Sequence, residues 1–391
     1  MRRSTDRILT THVGSLIRPP EVLDALRARE NGGDAASCDA AIRRAVQEVV
    51  QQQVDVGIDI PDDGEFSKTG FTAYVNDRLS GFEMRRPPPG QRAVLNVGRD
   101  RRAFAEFYAE YDRTEGQSDG LTAVCTGPIR YVGMPTLRAD FESLRAAMIA
   151  AGVEEGFIPA AAPGTIELQR RNEHYATEED YLFAIADAMR EEYRAIVEAG
   201  FVLQVDDPRV VVQYDLQEPA PSVAEYRAFM EVRIEALDRA LQGLPADRIR
   251  YHLCWGSWHG PHTTDIPLGD IVDLVLRVNA GAISVESANA RHAHEWTVWE
   301  KTRLPDGRIL IPGVISHNTN AVEHPELVAQ RIETFARLVG RENVIAGADC
   351  GFAQGAFYRR VHPSIMWAKL RALADGARIA SGRLWGSRPP A

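Results

Sequence analysis

The chain has 391 residues, a formal net charge of −10, 45% hydrophobic residues and 26% charged residues. The acidic balance argues against nucleic acid or an anionic membrane as a primary partner, and no apolar run approaches the roughly 18–20 residues that span a bilayer. Four scattered cysteines (Cys38, Cys125, Cys254, Cys350) do not make a disulfide framework. The N-terminus, MRRSTDRILTTHVGS, lacks a continuous apolar segment and reads as mature protein, so a cytoplasmic location is expected. In such a reducing compartment an informative cysteine is a metal ligand or a nucleophile.

Short apolar runs that end in polar residues or glycine recur along the chain. They are ILTTHVGS (8–15), VGIDIPDDGEF (56–66), LTAVCTGPI (121–129), FVLQVDDP (201–208), RIRYHLCWG (248–256), AISVESA (282–288), ILIPGVISH (309–317) and NVIAGADCG (343–351). Segments with helical periodicity lie between them, as in 39–57, 178–200, 268–281 and 324–340. Eight strands alternating with helices predict an α/β fold, a (β/α)8 TIM barrel. A ninth run, GFIPAAAPG (156–164), carries two prolines and is assigned to an insertion after the third strand. The charged, proline-rich stretch 85–119 is assigned to an insertion after the second strand. The barrel is expected to span residues 1–380, with 381–391 a flexible tail. A doubly wound sheet is the alternative, but HVGSLIRP after the first strand lacks the GxGxxG spacing of a dinucleotide fold.

Catalytic groups in a (β/α)8 barrel sit at the C-terminal ends of strands. The unusual polar residues of this sequence fall there: His12, Ser15, Glu65, Asp206, Asp207, His252, Cys254, Glu286, His317, Asp349 and Cys350. His252 and Cys254 are two apart on a strand and therefore share a face. Taken alone the pair reads as ordinary core. With Glu286 and Cys350 at later strand ends, it reads as part of a zinc site, because thiolate, imidazole and carboxylate are zinc's usual donors.

The ordered segments THVGS, DDGEF, TGP, LQVDDP, YHLC, ISVES, PGVISH and GADCG resemble the catalytic barrel of cobalamin-independent methionine synthases over residues 10–372, in the shorter single-barrel branch. The resemblance implies Zn2+ held by His252, Cys254, Glu286 and Cys350. It also implies an amino-acid thiol bound by Ser15, Glu65 and Asp206, and a proton donated by His317. The chain reads Asp206-Asp207-Pro208 where the long enzymes have Asp-Glu-Pro. The partners implied are a small-molecule thiol and a methyl or alkyl donor, with methyl transfer to homocysteine, giving methionine, the first reading. A thiol with a pKa near 8.5 is mostly protonated at neutral pH, and coordination to zinc removes that proton.

The donor is less well specified. Folate-using relatives carry a tryptophan after the TGP turn, whereas this chain offers Tyr131 as a possible stacking platform. Trp255, Trp258, Trp296 and Trp299 flank the expected ligands and belong either to a donor pocket or to the core. Related epoxyalkane:coenzyme M transferases would need a cation for a sulfonate, for which Arg18 and Lys68 are the candidates. A metal-free decarboxylase of the uroporphyrinogen type is the reading from another class; a non-enzymatic, zinc-stabilised protein is a third. His12, His259, His262, His292 and His294 receive no role, and Cys38 and Cys125 read as structural. The oligomeric state is not legible.

Overall fold

A computed structural model describes residues 1–86, 98–114 and 121–386. Its strands are β1 (Leu9–Thr10), β2 (Phe82–Arg85), β3 (Thr122–Cys125), β4 (Phe157–Ala161), β5 (Arg171–Asn172), β6 (Val202–Asp206), β7 (Ile249–Leu253), β8 (Ala282–Val285), β9 (Ile309–Ile315) and β10 (Ile345–Ala348). Seven of them form one parallel sheet in the order β1-β10-β9-β8-β7-β6-β4. The remaining position belongs to the segment around Ile60, which bridges Thr11 in parallel. Its Pro61 carbonyl accepts a 3.1 Å hydrogen bond from the Phe157 amide. Those two contacts close the sheet into the expected α/β TIM barrel.

The third barrel strand is not the expected one. LTAVCTGPI forms β3, which pairs with β2 and β5 in a separate three-stranded sheet. GFIPAAAPG instead supplies β4, inside the barrel. Proline is tolerated there because of the direction its missing N–H would take. The Phe157 and Ala161 amides point away from β6, to Pro61 and to the Tyr74 hydroxyl, and Pro159 lies between them with the same orientation. The β4–β6 ladder therefore loses no donor.

Long helices cover the barrel, among them Ala35–Val56, Met134–Ala151, Glu178–Glu198, Val223–Leu241, Pro325–Val339 and Pro363–Trp385. The first stops where Gly57 takes φ 96°, the left-handed cap that glycine permits. The helical pattern over 268–281 yields only a 3-10 turn, Leu268–Asp270, and one α-turn, Val272–Val275. The β-branched Ile271, Val272 and Val275 are buried there rather than spread along a longer amphipathic face. The last helix runs to Trp385, so residues 381–385 are helical and not part of a tail; residues 387–391 lie outside the described part. Much of the insertion expected over 85–119 (87–97 and 115–120) also lies outside it. Among the described residues no helix is long and apolar enough to cross a membrane.

The barrel interior is layered. Leu9, Ile60, Phe157, Val202, Ala282, Ile309, Ile311 and Ile345 form an apolar cluster, mostly from strand starts. Next to it Arg250 lies 3.3 Å over the Phe157 ring and donates to Gln204 Oε1, Thr11 Oγ1 and the His12 carbonyl. His12 is likewise spent, facing Gln53 Oε1 at 2.7 Å and accepting from the Gly14 amide. These polar groups satisfy one another and form a floor beneath the strand ends.

Candidate active site

Strand register brings the first functional side chains into line. Asp206 on β6 is paired with His252 on β7, and His252 with Ser284 on β8. Cys254 follows β7 directly, and Cys350 follows β10 after Asp349. Ligand atoms of His252, Cys254 and Cys350 all lie within 4.8 Å of one another. The two sulfurs are 3.3 Å apart, and both cysteines are free and buried. The contact between them holds the Cys350 thiol well below its ordinary value and, with burial, pushes the Cys254 thiol up.

The donor atoms in this cluster are left open. His252 is fixed through Nδ1, 3.1 Å from Ser284 Oγ, while its buried Nε2 has no partner among the described residues. Glu286 accepts from Asn289 Nδ2 through Oε2 at 2.9 Å, and its buried Oε1 has none. Glu286 lies outside the 4.8 Å group of three, although burial and then the charge of Asp349 raise its pKa well above the usual carboxylate range. Buried polar groups are normally paired. Two adjacent thiols, with one imidazole nitrogen and one carboxylate oxygen that have no hydrogen-bond partner among the described residues, are the donor set that zinc takes.

Asp349 is a supporting residue to which the sequence assigned no role. Its carboxylate accepts the amides of Ser287, Ala288 and Asn289, each at 2.8 Å, and Asn289 Nδ2 at 3.2 Å. One buried side chain thus fixes the turn after Glu286, and Asn289 ties both carboxylates together. Gly313 in the PGV segment makes room for it, since a Cβ there would lie 2.2 Å from Asp349 Oδ1. The signal was visible as an aspartate beside Cys350, but its partners lie some 60 residues away.

A second group faces the same space. Glu65 has φ 58°, unusual for a residue with a side chain. It is held there by its amide on Asp63 Oδ1 (2.8 Å) and by Arg18 Nη2 on its carbonyl (2.7 Å). Its Oε2 is buried without a partner among the described residues. Asp206 accepts from Gln204 Nε2 at 2.7 Å; burial, reinforced by the nearby charge of Glu65, raises its pKa well above the ordinary range. Two carboxylates that repel each other in a buried place form a site for a cation. Ser15 Oγ lies beside the Ala353 amide at 3.4 Å, against Gly351.

Ser15, Glu65, Asp206, His252, Cys254 and Cys350 all line one cavity of about 480 Å3. His317 is buried behind this wall with neither ring nitrogen partnered among the described residues, and burial lowers its pKa to about 4. Tyr131 is not brought to the cavity. It bridges Leu79 and packs beside Arg78 and Glu192, so the expected stacking platform is absent from that position. Of the four tryptophans, Trp258 lines the cavity, with its N–H on Tyr108 Oη at 2.9 Å. Trp255 is fully buried and donates to the Ile266 carbonyl. The cations suggested for a sulfonate are already engaged: Arg18 on the carbonyls of Ala353, Glu65 and Lys68, and Lys68 on that of Pro159.

Comparison with known proteins places the chain in a family. Residues 160–366, just over half of the chain, match the family described as cobalamin-independent synthase, catalytic domain. A methionine synthase of Sulfolobus acidocaldarius is 23% identical over 88% of this chain and 85% of its own length. One from Thermococcus kodakarensis is 22% identical, with 96% and 94% covered. Among solved structures, a B12-independent methionine synthase from Shewanella sp. W3-18-1, in complex with selenomethionine, superposes with a TM-score of 0.71 at 20% identity, covering 97% of this chain and 99% of that one. The matched segment contains Asp206, His252, Cys254, Glu286, His317 and Cys350. The chain belongs to the cobalamin-independent synthase catalytic-domain family.

Proposed function

We propose that the chain is a zinc-dependent thiol methyltransferase that methylates homocysteine to methionine. The observation that carries this reading is the meeting, on one cavity, of an open His252–Cys254–Cys350 cluster with the Glu65–Asp206 pair. His252, Cys254 and Cys350 would hold the metal, with Glu286 Oε1 the fourth donor. Zinc bound there supplies a Lewis acid that lowers the pKa of a thiol at its exchangeable position.

Everything else is asked of the protein. Glu65 and Asp206 bind the substrate ammonium group, which offsets their mutual repulsion, and Ser15 steadies the amino-acid end. This directs the thiol sulfur towards the cysteines. Sulfur then forms a bond to the methyl carbon as the bond from that carbon to the donor atom breaks, and the donor atom takes up a proton. His317, neutral because burial lowers its pKa, can take the proton that the thiol gives up and pass it to the donor atom. For a methylated folate as donor, Trp258 is one of several aromatic side chains on the cavity wall, with Phe71, Tyr108, Tyr111 and Tyr358.

Epoxide opening by coenzyme M is the weaker reading, since Glu65 and Asp206 favour an ammonium group over a sulfonate. A metal-free decarboxylase leaves the unpartnered donors without purpose. The test is metal analysis of the purified protein, followed by X-ray absorption at the zinc edge with homocysteine or coenzyme M. We expect bound zinc and an increase in sulfur coordination with homocysteine alone. Metal-free protein, or an unchanged spectrum, overturns the proposal.

A further inference from the structure

The cavity extends beyond the groups that the thiol reading uses. After Asp206 and Asp207 the chain turns at Pro208 into the helix Arg209–Leu216. Arg209, Val212 and Leu216 all line the cavity and, at spacings of three and four, share one face of this helix. Arg209 is only 4% exposed, and its Nε and Nη2 are buried with no partner among the described residues. Burial lowers its pKa to about 10, so it remains charged at neutral pH.

The other arginines on this wall are engaged. Arg101 donates to both oxygens of Asp112, Arg170 to Asn76 Oδ1 and the carbonyls of Thr72 and Ile166, and Arg360 to Gln354 and the hydroxyls of Tyr111 and Tyr358. A buried guanidinium without a counter-charge is costly. Its planar fork suits a bidentate oxyanion.

We propose that Arg209 binds an oxyanion (carboxylate, sulfonate or phosphate) of the alkyl donor, whose apolar body lies along Val212 and Leu216. The assignment to the donor rests on the function proposed above, in which Ser15, Glu65 and Asp206 take up the amino-acid end of the thiol. Arg209 is then a specificity-determining residue: it selects an anionic donor.

The experiment uses the full chain loaded with zinc and two probes, 4-phenylbutyrate and its uncharged amide, with binding followed by calorimetry. The wild type is expected to prefer the acid by about tenfold, the size of one charge-assisted hydrogen-bonded contact. Arg209→Met should remove that preference and Arg209→Lys restore part of it. Arg209→Met should also melt no lower than the wild type, because it removes an uncompensated buried charge; a merely structural arginine would give the opposite result. Equal binding of acid and amide by the wild type, or a preference that survives Arg209→Met, overturns the proposal. So does a matching loss of homocysteine affinity in Arg209→Met, which would move the residue to the thiol. If homocysteine fails to bind through sulfur, the function proposed above fails while the acid–amide comparison still reports on Arg209.

Discussion

Two clusters of histidine and acid lie close to the loop that leaves β7, and they are built on opposite principles. In one, His292 has both ring nitrogens engaged, 2.9 Å from Glu295 Oε2 and 3.1 Å from Asp265 Oδ2. Asp265 also contacts His262 at 3.2 Å, and Glu295 Oε1 accepts the Leu268 amide. The His292 ring stacks on Trp255 with centroids 4.2 Å apart. In the other cluster, His252, Glu286, Cys254 and Cys350 are as deeply buried, yet His252 Nε2 and Glu286 Oε1 have no hydrogen-bond partner among the described residues. Both clusters contain metal-ligand chemistry. Saturation makes the first a fastening for the loop, and its absence makes the second a site.

Substituting the open cluster should break this contrast most severely. Cys254→Ser or Cys350→Ser is expected to lose bound zinc and methyl transfer by more than the ~10–100-fold that loss of an outer partner costs, while circular dichroism shows the fold retained. A variant that keeps its zinc and full transfer would remove the distinction between the clusters.

The closed cluster predicts a pH effect on stability. Burial disfavours His292 protonation, but the hydrogen bonds and charges of Asp265 and Glu295 outweigh it and carry the pKa to about 9, from an ordinary 6.5. A folded-state value above the unfolded one stabilises fully below pH 6.5, and the stabilisation fades as pH rises through 9. Thermal melts from pH 6 to 10 should show a loss of about 3 kcal/mol that is absent in His292→Gln. A wild-type curve parallel to the variant's would show that the cluster is not charged as described.

Support for the open cluster comes next in size. Asp349→Ala frees the turn 287–289 and should weaken zinc affinity about 10–100-fold, read by chelator competition. Glu65→Gln and Asp206→Asn each remove one charged contact to an ammonium group. Each should raise KM for homocysteine about tenfold with less change in kcat. A fall in kcat alone would move these carboxylates from binding to chemistry. The smallest effect sharpens the boundary of the site: Tyr131→Phe should leave methyl transfer unchanged, because the hydroxyl lies outside the cavity.

Much of the site was legible because its signals are local. An i, i+2 pair on a strand shares a face in any sheet, so His252 and Cys254 could be joined before the fold was known. Strand ends are marked by short motifs, which placed Glu65, Asp206, Glu286 and Cys350 at one mouth. What failed depended on neighbours that sequence does not name. LTAVCTGPI and GFIPAAAPG are both short apolar runs, and the cost of Pro159 depends on which strand its missing N–H would face. Tyr131 follows the right turn, but that turn belongs to a side sheet.

The sequence by itself determined the alternation of strand and helix, the donor types, and their places at strand ends, since periodicity and side-chain chemistry are properties of the chain. Only the tertiary structure decided which polar groups remain unpaired. Arg18 and Lys68 looked available and are engaged with carbonyls, while Arg209, to which the sequence assigned no role, is left open. Hydrogen-bond saturation is settled between residues far apart in the chain, and in this protein it separates the groups that hold the fold from those left for a ligand.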